Sequence, residues 1–460
     1  MDSVALLLSR IQFGFTIGYH IVFPTMSMGL AMFLVFLEAM ELKTGDPRYR
    51  EAGNFWARIF ALAFGMGVVS GVVLSYEVGT NWGRFSEFAG PVVGPLMSYE
   101  VLSAFFLEAG FLGIMLFGRH RVPRGVHFFA TCMVALGTLM SAFWVLSANS
   151  FMQTPAGYRF ENGVLHVASW SQAIFNPSFP YRLAHMITAA YLSTSFLVIA
   201  VGAWYALNKR HAEFAMTTLR WGLGAAAILA PLQVFIGDQH GLSTFHHQPM
   251  KVAAIEGHWQ TSSDVPLVLF GWPDQEQEKN HFEVTVPHLG SLILTHQLDG
   301  EVPGLLEVPP QDRPPVAIVF WAFRVMVGCG LLMLALAWSG ALLLRRKRLE
   351  HASGFLRALT LAGPLGFIAV LAGWITTECG RQPWTVYGLL HTHESVSAIS
   401  GAKVAVSLSG FVIGYAVLLY AFFRFFRHLV RKGPVEESPH REENNKRSRP
   451  AFLVTEDRKS

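Results

Sequence analysis

One long apolar run of this chain ends in Gly373-Trp374-Ile375-Thr376-Thr377-Glu378-Cys379-Gly380-Arg381-Gln382-Pro383-Trp384. Its carboxylate, guanidinium and indoles fall where hydrocarbon gives way to water. Trp384 and Arg381 are typical of an interfacial belt, in which indoles lie at the headgroups and arginine extends its charge to water. That interpretation does not account for Glu378, because an unpaired carboxylate at this depth tends to protonate unless an ion or metal holds it. We therefore interpret Glu378 as a functional residue.

The composition predicts an all-α polytopic membrane protein. The 460 residues are 52% hydrophobic and 14% charged, with a mean hydropathy of +0.38, whereas soluble proteins carry about 25% charged residues. Apolar runs long enough to span a bilayer recur along the chain. We predict about nine transmembrane helices, at residues 11–37, 55–76, 95–117, 127–146, 183–207, 219–236, 316–344, 355–376 and 398–423.

These segments divide the chain into four regions. Residues 1–236 hold the first six helices, 237–315 form a long loop, and 316–431 hold the last three helices. Loops of this length inside a compact protein are usually functional. Residues 432–460 are polar and mixed in charge, which predicts a disordered tail.

The charged loops predict the orientation. Most of the 35 Lys and Arg residues fall in one set of alternate connections and in the C-terminal tail. Because basic loops stay in the cytoplasm, the N-terminus should face outward and the C-terminus inward. The net charge of +4 reflects this bias and does not indicate nucleic acid binding. The start of the chain has no basic segment or small-residue cleavage site, so no removable signal peptide is expected.

Four intramembrane residues resemble parts of a haem site. His20 and His185 fall in the outer halves of the first and fifth helices, and Arg324 and Met326 lie on the seventh. His and Met are axial ligands of low-spin haem, and arginine is a natural partner for a haem propionate. A single membrane His is also often a helix–helix hydrogen bond, and a single Met is usually core filling. Their occurrence together with Glu378, all in the outer half, favours the haem interpretation.

Two acids on the third helix, Glu100 and Glu108, lie about 12 Å apart along its axis. They either join helices as a polar pair or relay protons across the membrane. Carboxylates at this depth are more often a relay, so we favour that role.

Several motifs together resemble subunit I of cytochrome bd-type quinol oxidases, from Ser9 to about Phe425. Besides the stretch at 373–384, the motifs are Ser9-Arg10-x-Gln12-Phe13, Ser147-Ala-Asn149-Ser-Phe-Met-Gln-x-Pro155, Lys251-x-Ala-Ala-x-Glu256 and Phe323-Arg324-x-Met326. The resemblance implies a nine-span haem protein that oxidises quinol and reduces dioxygen to water. Residues 237–315 are similar to the family's quinol-binding loop in its short form. Gly237-Asp-x-His-Gly241 with His247-Gln-Pro249 looks like the cyanide-insensitive branch.

The resemblance also implies cofactors and their ligands. His185 and Met326 look like the ligands of a low-spin haem b, with Arg324 supporting that site. His20 and Glu378 look like ligands of the two remaining haems, a high-spin haem b and a haem d or a further haem b. Which residue serves which haem stays open. Residues that resemble conserved neighbours of the haem sites are Trp374 and Arg381.

The remaining roles concern quinol, protons and partners. Lys251 and Glu256 look like quinol contacts, and Glu100 and Glu108 like acids of the proton route. Quinol would release its protons outward while the protons for water come from the cytoplasm, which separates charge without a pump. The implied partners are subunit II, a small accessory subunit in some members, ubiquinol or menaquinol, dioxygen and the lipid of a bacterial cytoplasmic (inner) membrane.

Two other functions fit parts of the sequence. One is a haem-b quinol-binding subunit that transfers electrons without reducing oxygen, which the loss of His20 or Glu378 would favour. The other is a secondary transporter that uses Glu100, Glu108 and Lys403, although the chain shows no internal repeat. A reduced-minus-oxidised haem spectrum separates these functions.

Overall fold

The computed structural model describes residues 3–434. Within this part of the chain, nine helices are long and apolar enough to cross a membrane, which confirms the predicted fold class. Their bounds are Ser3–Thr44, Pro47–Asn81, Gly83–Phe117, Arg124–Gln153, Phe179–Leu207, Ala212–His247, Pro310–Arg345, Ser353–Arg381 and Gly401–Lys432. The part of the predicted disordered tail from residue 435 onward lies outside the described residues.

Six of the spans are single helices and the other three are compound. The single helices are α1 (Ser3–Thr44), α2 (Pro47–Asn81), α5 (Arg124–Gln153), α7 (Phe179–Leu207), α8 (Ala212–His247) and α15 (Gly401–Lys432). The compound spans are built from α3 (Gly83–Tyr99), a π-helix (Glu100–Phe105) and α4 (Phe106–Phe117); a 3₁₀ turn (Pro310–Asp312) and α11 (Val316–Arg345); and α12 (Ser353–Leu361) and α13 (Leu365–Arg381).

Short elements connect the spans. The helices are α6 (Trp170–Ile174), α9 (Pro249–Glu256), α10 (Leu289–Thr295) and α14 (Thr392–Ser395), with 3₁₀ turns at Leu305–Glu307 and Leu349–His351. The strands form three antiparallel pairs, β1 (Tyr158–Glu161) with β2 (Val164–Val167), β3 (Leu267–Asp274) with β4 (Lys279–Val286), and β5 (Trp384–Val386) with β6 (Leu390–His391).

Local chemistry sets several helix ends. The Asp46 carboxylate accepts a hydrogen bond of 3.0 Å from the backbone N–H of Arg48, and Pro47 occupies the first position of α2. Both features satisfy or remove backbone donors that a helix start leaves unpaired. Proline also ends a helix: α13 stops at Arg381 because Pro383 disfavours helical geometry at Gln382.

Some helices extend beyond their predicted apolar segments. α8 continues to His247, so residues 237–247 of the predicted loop are helical, and α5 likewise continues to Gln153. The third span begins at Gly83 and holds Pro91 and Pro95 inside it. Apolarity marks the part of a helix that lies in hydrocarbon, and polar residues extend the helix past that boundary without interrupting its hydrogen bonds.

The helices alternate in direction, so their ends form two faces. The Glu378 face carries Glu378, the segment between α8 and α11, and the start of α1 and α15. The Lys432 face carries Lys432, the α1–α2 connection and the start of α5. An odd number of spans places Ser3 and Lys432 on opposite faces.

The central element is α7, the most deeply buried of the spans. Two glycines on neighbouring helices bring the backbones close to it: Gly29 of α1 packs on Ala190 and Thr194, and Gly366 of α13 packs on Ser193. A β-carbon at Gly29 would lie 2.8 Å from the Ala190 carbonyl oxygen, closer than real β-carbons approach. The bundle core therefore depends on small residues at these crossings.

Replacing Gly29 with alanine should destabilise the bundle by about 1–3 kcal/mol, since the new methyl group overpacks the α1–α7 contact. The check is the thermal unfolding midpoint of the purified protein. Gly410→Ala in α15 is the matched control, because no side chain or backbone atom lies within 4 Å of a β-carbon there. Equal midpoints for the two variants would contradict the close packing.

Candidate functional site

The Glu378 carboxylate lies at the junction of three helices. From α13, Arg381 Nη2 lies 2.6 Å from Glu378 Oε2. From α5, Asn149 Nδ2 and Gln153 Nε2 each donate a hydrogen bond of 3.1 Å to Glu378 Oε1. From α7, Arg182 Nη2 lies 3.9 Å from Oε1 and donates a hydrogen bond to the Asn149 side chain. Glu378 is therefore an anion held in place by four polar side chains.

Positive charge exceeds negative charge around Glu378. Lys251 of α9 joins this group, since its Nζ donates a hydrogen bond of 2.6 Å to Gln153 Oε1 and its stem packs against Gly380. Lys251, Arg182 and Arg381 are 4%, 8% and 5% exposed, and Glu378 is the carboxylate that contacts this group. Buried charge without compensation is costly. Burial and the neighbouring Arg182 lower the pKa of Lys251 well below its usual range.

The same guanidinium groups have unused donors. Among the described residues, Arg182 Nε and Arg381 Nε and Nη1 are buried and find no hydrogen-bond acceptor. A haem carries two propionates, which are the anions that such donors bind best. The donor set and its excess of positive charge thus fit the carboxylates of a haem.

The His185 ring of α7 faces α8, and one of its two ring nitrogens is paired. Its Nε2 accepts a hydrogen bond of 3.1 Å from Gln233 Nε2, and its Nδ1 is buried with no partner in residues 3–434. Gly237 of α8 faces the ring, and a β-carbon there would lie 3.3 Å from His185 Cε1. The His240 ring lies 5.4 Å away, centroid to centroid. Because Nε2 accepts from Gln233, the neutral ring carries its hydrogen on Nδ1, and Nε2 would bind iron only in exchange for the Gln233 contact.

Met326 of α11 packs against α13. A β-carbon at Gly373 would lie 2.7 Å from Met326 Sδ, so glycine makes room for the thioether. Trp374 is half-buried one helical turn before Glu378 on the same helix. Gly373, which contacts Met326, and Trp374 and Glu378 thus lie within about one and a half turns of α13.

The tautomer of His20 follows from its contact with Ser70. His20 Nδ1 lies 2.9 Å from Ser70 Oγ, and that hydroxyl donates its own proton to the Met66 carbonyl at 2.8 Å. Nδ1 must then carry the hydrogen, which leaves Nε2 with a free lone pair. A ligating histidine is oriented in this way by a hydrogen bond at its other nitrogen. Gly71 leaves space beside the ring.

Glu256 and Arg324 lie close enough at the Glu378 face for their charges to interact. Arg324 donates to the carbonyl oxygens of Ile255 at 2.8 Å and Phe320 at 3.0 Å, and also to that of Val268. Glu256 is 8% exposed, and its Oε2 has no partner in the described chain. Burial raises the pKa of Glu256, and the charge of Arg324 opposes this rise.

The predicted quinol residues Lys251 and Glu256 lie at opposite ends of α9. Lys251 donates to Gln153 beside the Glu378 group, whereas the charge of Glu256 interacts with that of Arg324. The structure therefore places them at two neighbouring sites.

Glu100 and Glu108 both face α5. Glu100 Oε1 accepts a hydrogen bond of 2.8 Å from Ser141 Oγ, and the Glu108 side chain packs on Gly137, one turn away. Glu100 begins the π-helix, and Glu108 lies in the first turn of α4. The two acids thus contact the same face of α5.

Sequence reasoning did not single out some functional candidates. Asn149 and Gln153 were part of a quoted motif but received no role, and Arg182 lies three residues before His185 in a segment assigned to a loop. The only signal for Arg182 was its position among apolar residues at the start of a span. Gln233 lies inside the predicted sixth span and His240 in its helical extension; His240 was part of the quoted Gly237-Asp-x-His-Gly241 motif, but neither residue received a role.

Comparisons with known proteins agree with the predicted resemblance. Residues 8–434 match the family described as cytochrome bd terminal oxidase subunit I. Cytochrome bd-II ubiquinol oxidase subunit 1 of Escherichia coli (strain K12) is 32% identical over 497 residues, which cover 93% of this chain and 96% of that protein. Cytochrome bd ubiquinol oxidase subunit 1 of Bacillus subtilis (strain 168) is 34% identical over 447 residues, 95% of each chain.

A solved structure shares the fold. The bd oxidase from Geobacillus thermodenitrificans superposes with a TM-score of 0.87 at 29% identity, over 94% of this chain and 100% of the matched chain. Sequence and fold agree over nearly the whole length, so the resemblance seen in the motifs is confirmed: this chain belongs to the cytochrome bd terminal oxidase subunit I family.

Proposed function

We propose that this chain binds three haems and, with subunit II, oxidises membrane quinol and reduces dioxygen to water. The observation that carries this proposal is the buried cationic group around Glu378, whose unused guanidinium donors match haem propionates. Bound haem would supply reversible one-electron chemistry and the iron that takes up dioxygen. A haem-dependent oxidase of a bacterial cytoplasmic membrane also accounts for the nine apolar spans.

The ligand assignments are those that the resemblance implies, and side-chain contacts support some of them. His185 of α7 and Met326 of α11 would hold a low-spin haem b, and both helices pack against α13. His20 offers Nε2 to one of the other two haems, and Glu378 offers its carboxylate to the remaining one. Asn149, Gln153, Arg182 and Arg381 keep that carboxylate ionised and oriented, as a metal ligand must be. We assign one of these haems as a high-spin haem b and the other as haem d or a further haem b.

Quinol oxidation is proposed at the segment between α8 and α11. The two matched subunits from Escherichia coli and Bacillus subtilis are named ubiquinol oxidases. Glu256 is a buried carboxylate with a free oxygen, so it can accept a proton from a quinol hydroxyl. Arg324 lies close enough to stabilise the resulting charges. We propose that ubiquinol or menaquinol binds here.

The proton route is proposed to run along α5. We assign the Glu378 face to the outside and the Lys432 face to the cytoplasm, on the basis of the Lys and Arg distribution. Protons for water then cross most of the membrane thickness, which hydrocarbon does not conduct. Glu108 lies nearer the Lys432 face and would pass its proton to Glu100, which Ser141 orients. Proton uptake from the cytoplasm with quinol protons released outside separates charge without a pump.

The exposed spans provide the interface for partners. The third and ninth spans are apolar, and only 17% and 11% of their most apolar windows are buried. We propose that subunit II, a small accessory subunit and lipid cover these surfaces, as expected for apolar area outside the core.

Replacing either proposed low-spin ligand should remove the low-spin haem. His185→Ala and Met326→Leu should lose the low-spin signal in reduced-minus-oxidised spectra, because each removes one axial bond to iron. The matched control is Met333→Leu, a buried methionine of the same helix that packs in the core. An unchanged low-spin spectrum in His185→Ala or Met326→Leu would contradict the assignment.

Glu256→Gln should slow quinol oxidation by at least about tenfold, since the amide cannot take up a proton. Because burial raises the pKa of Glu256, its base form gains population as pH rises, so wild-type activity should rise through that pKa and the variant should not. The measurement is quinol-dependent oxygen uptake against pH at equal haem content. Glu276→Gln, at an exposed turn of the β3–β4 hairpin, serves as the control. Wild-type turnover in Glu256→Gln would count against this site.

Glu108→Leu should slow oxygen reduction while quinol still reduces the low-spin haem, because the electron path stays intact and the proton path does not. Oxygen uptake and low-spin haem reduction should be measured in the same membranes, with the haem reduction as the internal control. Normal oxygen uptake with full haem occupancy would mean that protons travel elsewhere.

A further inference from the structure

A second buried polar group lies near the Lys432 face, away from the haem and quinol sites. Glu38 of α1 and His127 of α5 are 6% and 4% exposed. Glu38 Oε2 lies 3.1 Å from His127 Nδ1, and Glu38 Oε1 lies 3.0 Å from Thr131 Oγ1 and 3.2 Å from Arg119 Nη2. None of these residues has a role in the chemistry described above.

The hydrogen bonds of His127 fix how many protons this pair holds. His127 Nε2 lies 3.0 Å from the Met115 carbonyl oxygen, which only accepts, so Nε2 carries a hydrogen. The contact between Nδ1 and the Glu38 oxygen also needs a hydrogen, because two acceptors at 3.1 Å would repel each other. The pair therefore holds one proton beyond a carboxylate and a neutral imidazole. Either the imidazole or the carboxyl group carries it.

This shared proton lies in line with the proposed proton route. On α5, Thr131 contacts Glu38 and Gly137 contacts Glu108. These two α5 residues are six positions apart, which is about 9 Å along the helix axis. Ser141, which contacts Glu100, follows one turn later. Three buried or half-buried carboxylates thus succeed one another along α5, and Glu38 is the one nearest the Lys432 face.

We propose that Glu38 and His127 form the proton-loading site of this subunit, which takes a proton from the Lys432 face and passes it toward Glu108. In the transfer, the shared proton leaves the Nδ1–Oε2 contact, intervening water molecules carry it, and an O–H bond forms on Glu108. A proton from the aqueous face then restores the pair. This inference rests on the proposed route through Glu108 and adds its point of entry.

A neighbouring ion pair offers a direct comparison. Glu41, one turn along α1, lies 2.8 Å from Arg119 Nη1 and 4.0 Å from Arg50 Nε. These partners are permanent cations, so Glu41 needs no shared proton and clamps helices together. If Glu38 also acted only as a clamp, removing its charge should have the same effect as removing that of Glu41.

The test compares Glu38→Gln, Glu38→Asp, Glu41→Gln and Glu108→Gln in the assembled oxidase with subunit II. The measurements are oxygen uptake per haem and its solvent deuterium isotope effect, with reduced-minus-oxidised spectra to establish haem content. Glu38→Gln should lower uptake by at least about tenfold and raise the isotope effect, since proton delivery becomes limiting. Glu38→Asp should recover part of the rate, and Glu41→Gln should stay close to wild type.

Several outcomes would overturn the proposal. One is wild-type uptake and isotope effect in a haem-replete Glu38→Gln enzyme, and another is an equal loss in Glu41→Gln. A slow Glu108→Gln with a normal Glu38→Gln would also overturn the loading site while the Glu108 route stands. The reverse pattern, a slow Glu38→Gln with a normal Glu108→Gln, would overturn the transfer to Glu108 on which the loading site rests.

If Glu38→Gln assembles without haem, His127→Gln replaces it in the series. Glutamine can still donate to the Met115 carbonyl but cannot hold the shared proton as an imidazolium. Haem-replete His127→Gln with wild-type uptake would overturn the proposal, and a slow rate with a raised isotope effect would support it.

Discussion

The structure depends on the placement of charge in a medium that does not solvate it. Around Glu378, four polar side chains from α5, α7 and α13 converge on one carboxylate. Each would be costly to bury alone, and together they still leave an excess of positive charge. That excess is the physical reason to place an anionic cofactor here. It also explains why these helices must meet at fixed positions, since a misplaced helix would leave a buried ion unpaired.

The same constraint separates the two faces of the bundle by chemistry. At the Glu378 face, cations exceed anions and donors are left unused. Near the Lys432 face, Glu38 and Glu41 are matched by Arg119, Arg50 and His127. The first arrangement suits the binding of a charged group, and the second suits the exchange of a proton. The two sites share α5, which contributes Asn149 and Gln153 to the first and His127 and Thr131 to the second.

Much of the fold could be predicted because hydrocarbon imposes a simple rule on sequence. Apolar length located all nine spans, and motif spacing identified the family. The helix ends were harder, since polar residues such as Asp238 and His247 continue α8 beyond the apolar part. Pairings across helices were not predictable: nothing in the sequence relates Ser70 to His20, or Gly373 to Met326, because those contacts depend on how two helices cross.

The π-helix at Glu100–Phe105 changes the geometry of the acids that flank it. On a regular α-helix, side chains eight residues apart point about 80° away from each other around the axis. A π-turn absorbs one extra residue, so the same eight residues behave as roughly seven and the divergence falls to about 20°. This explains how Glu100 and Glu108 can both reach α5, at Ser141 and Gly137. The π-turn thus rotates Glu108 around the helix axis toward the direction of Glu100, which the residue spacing alone does not reveal. The alignment of the two acids therefore depends on the backbone as well as on the side chains.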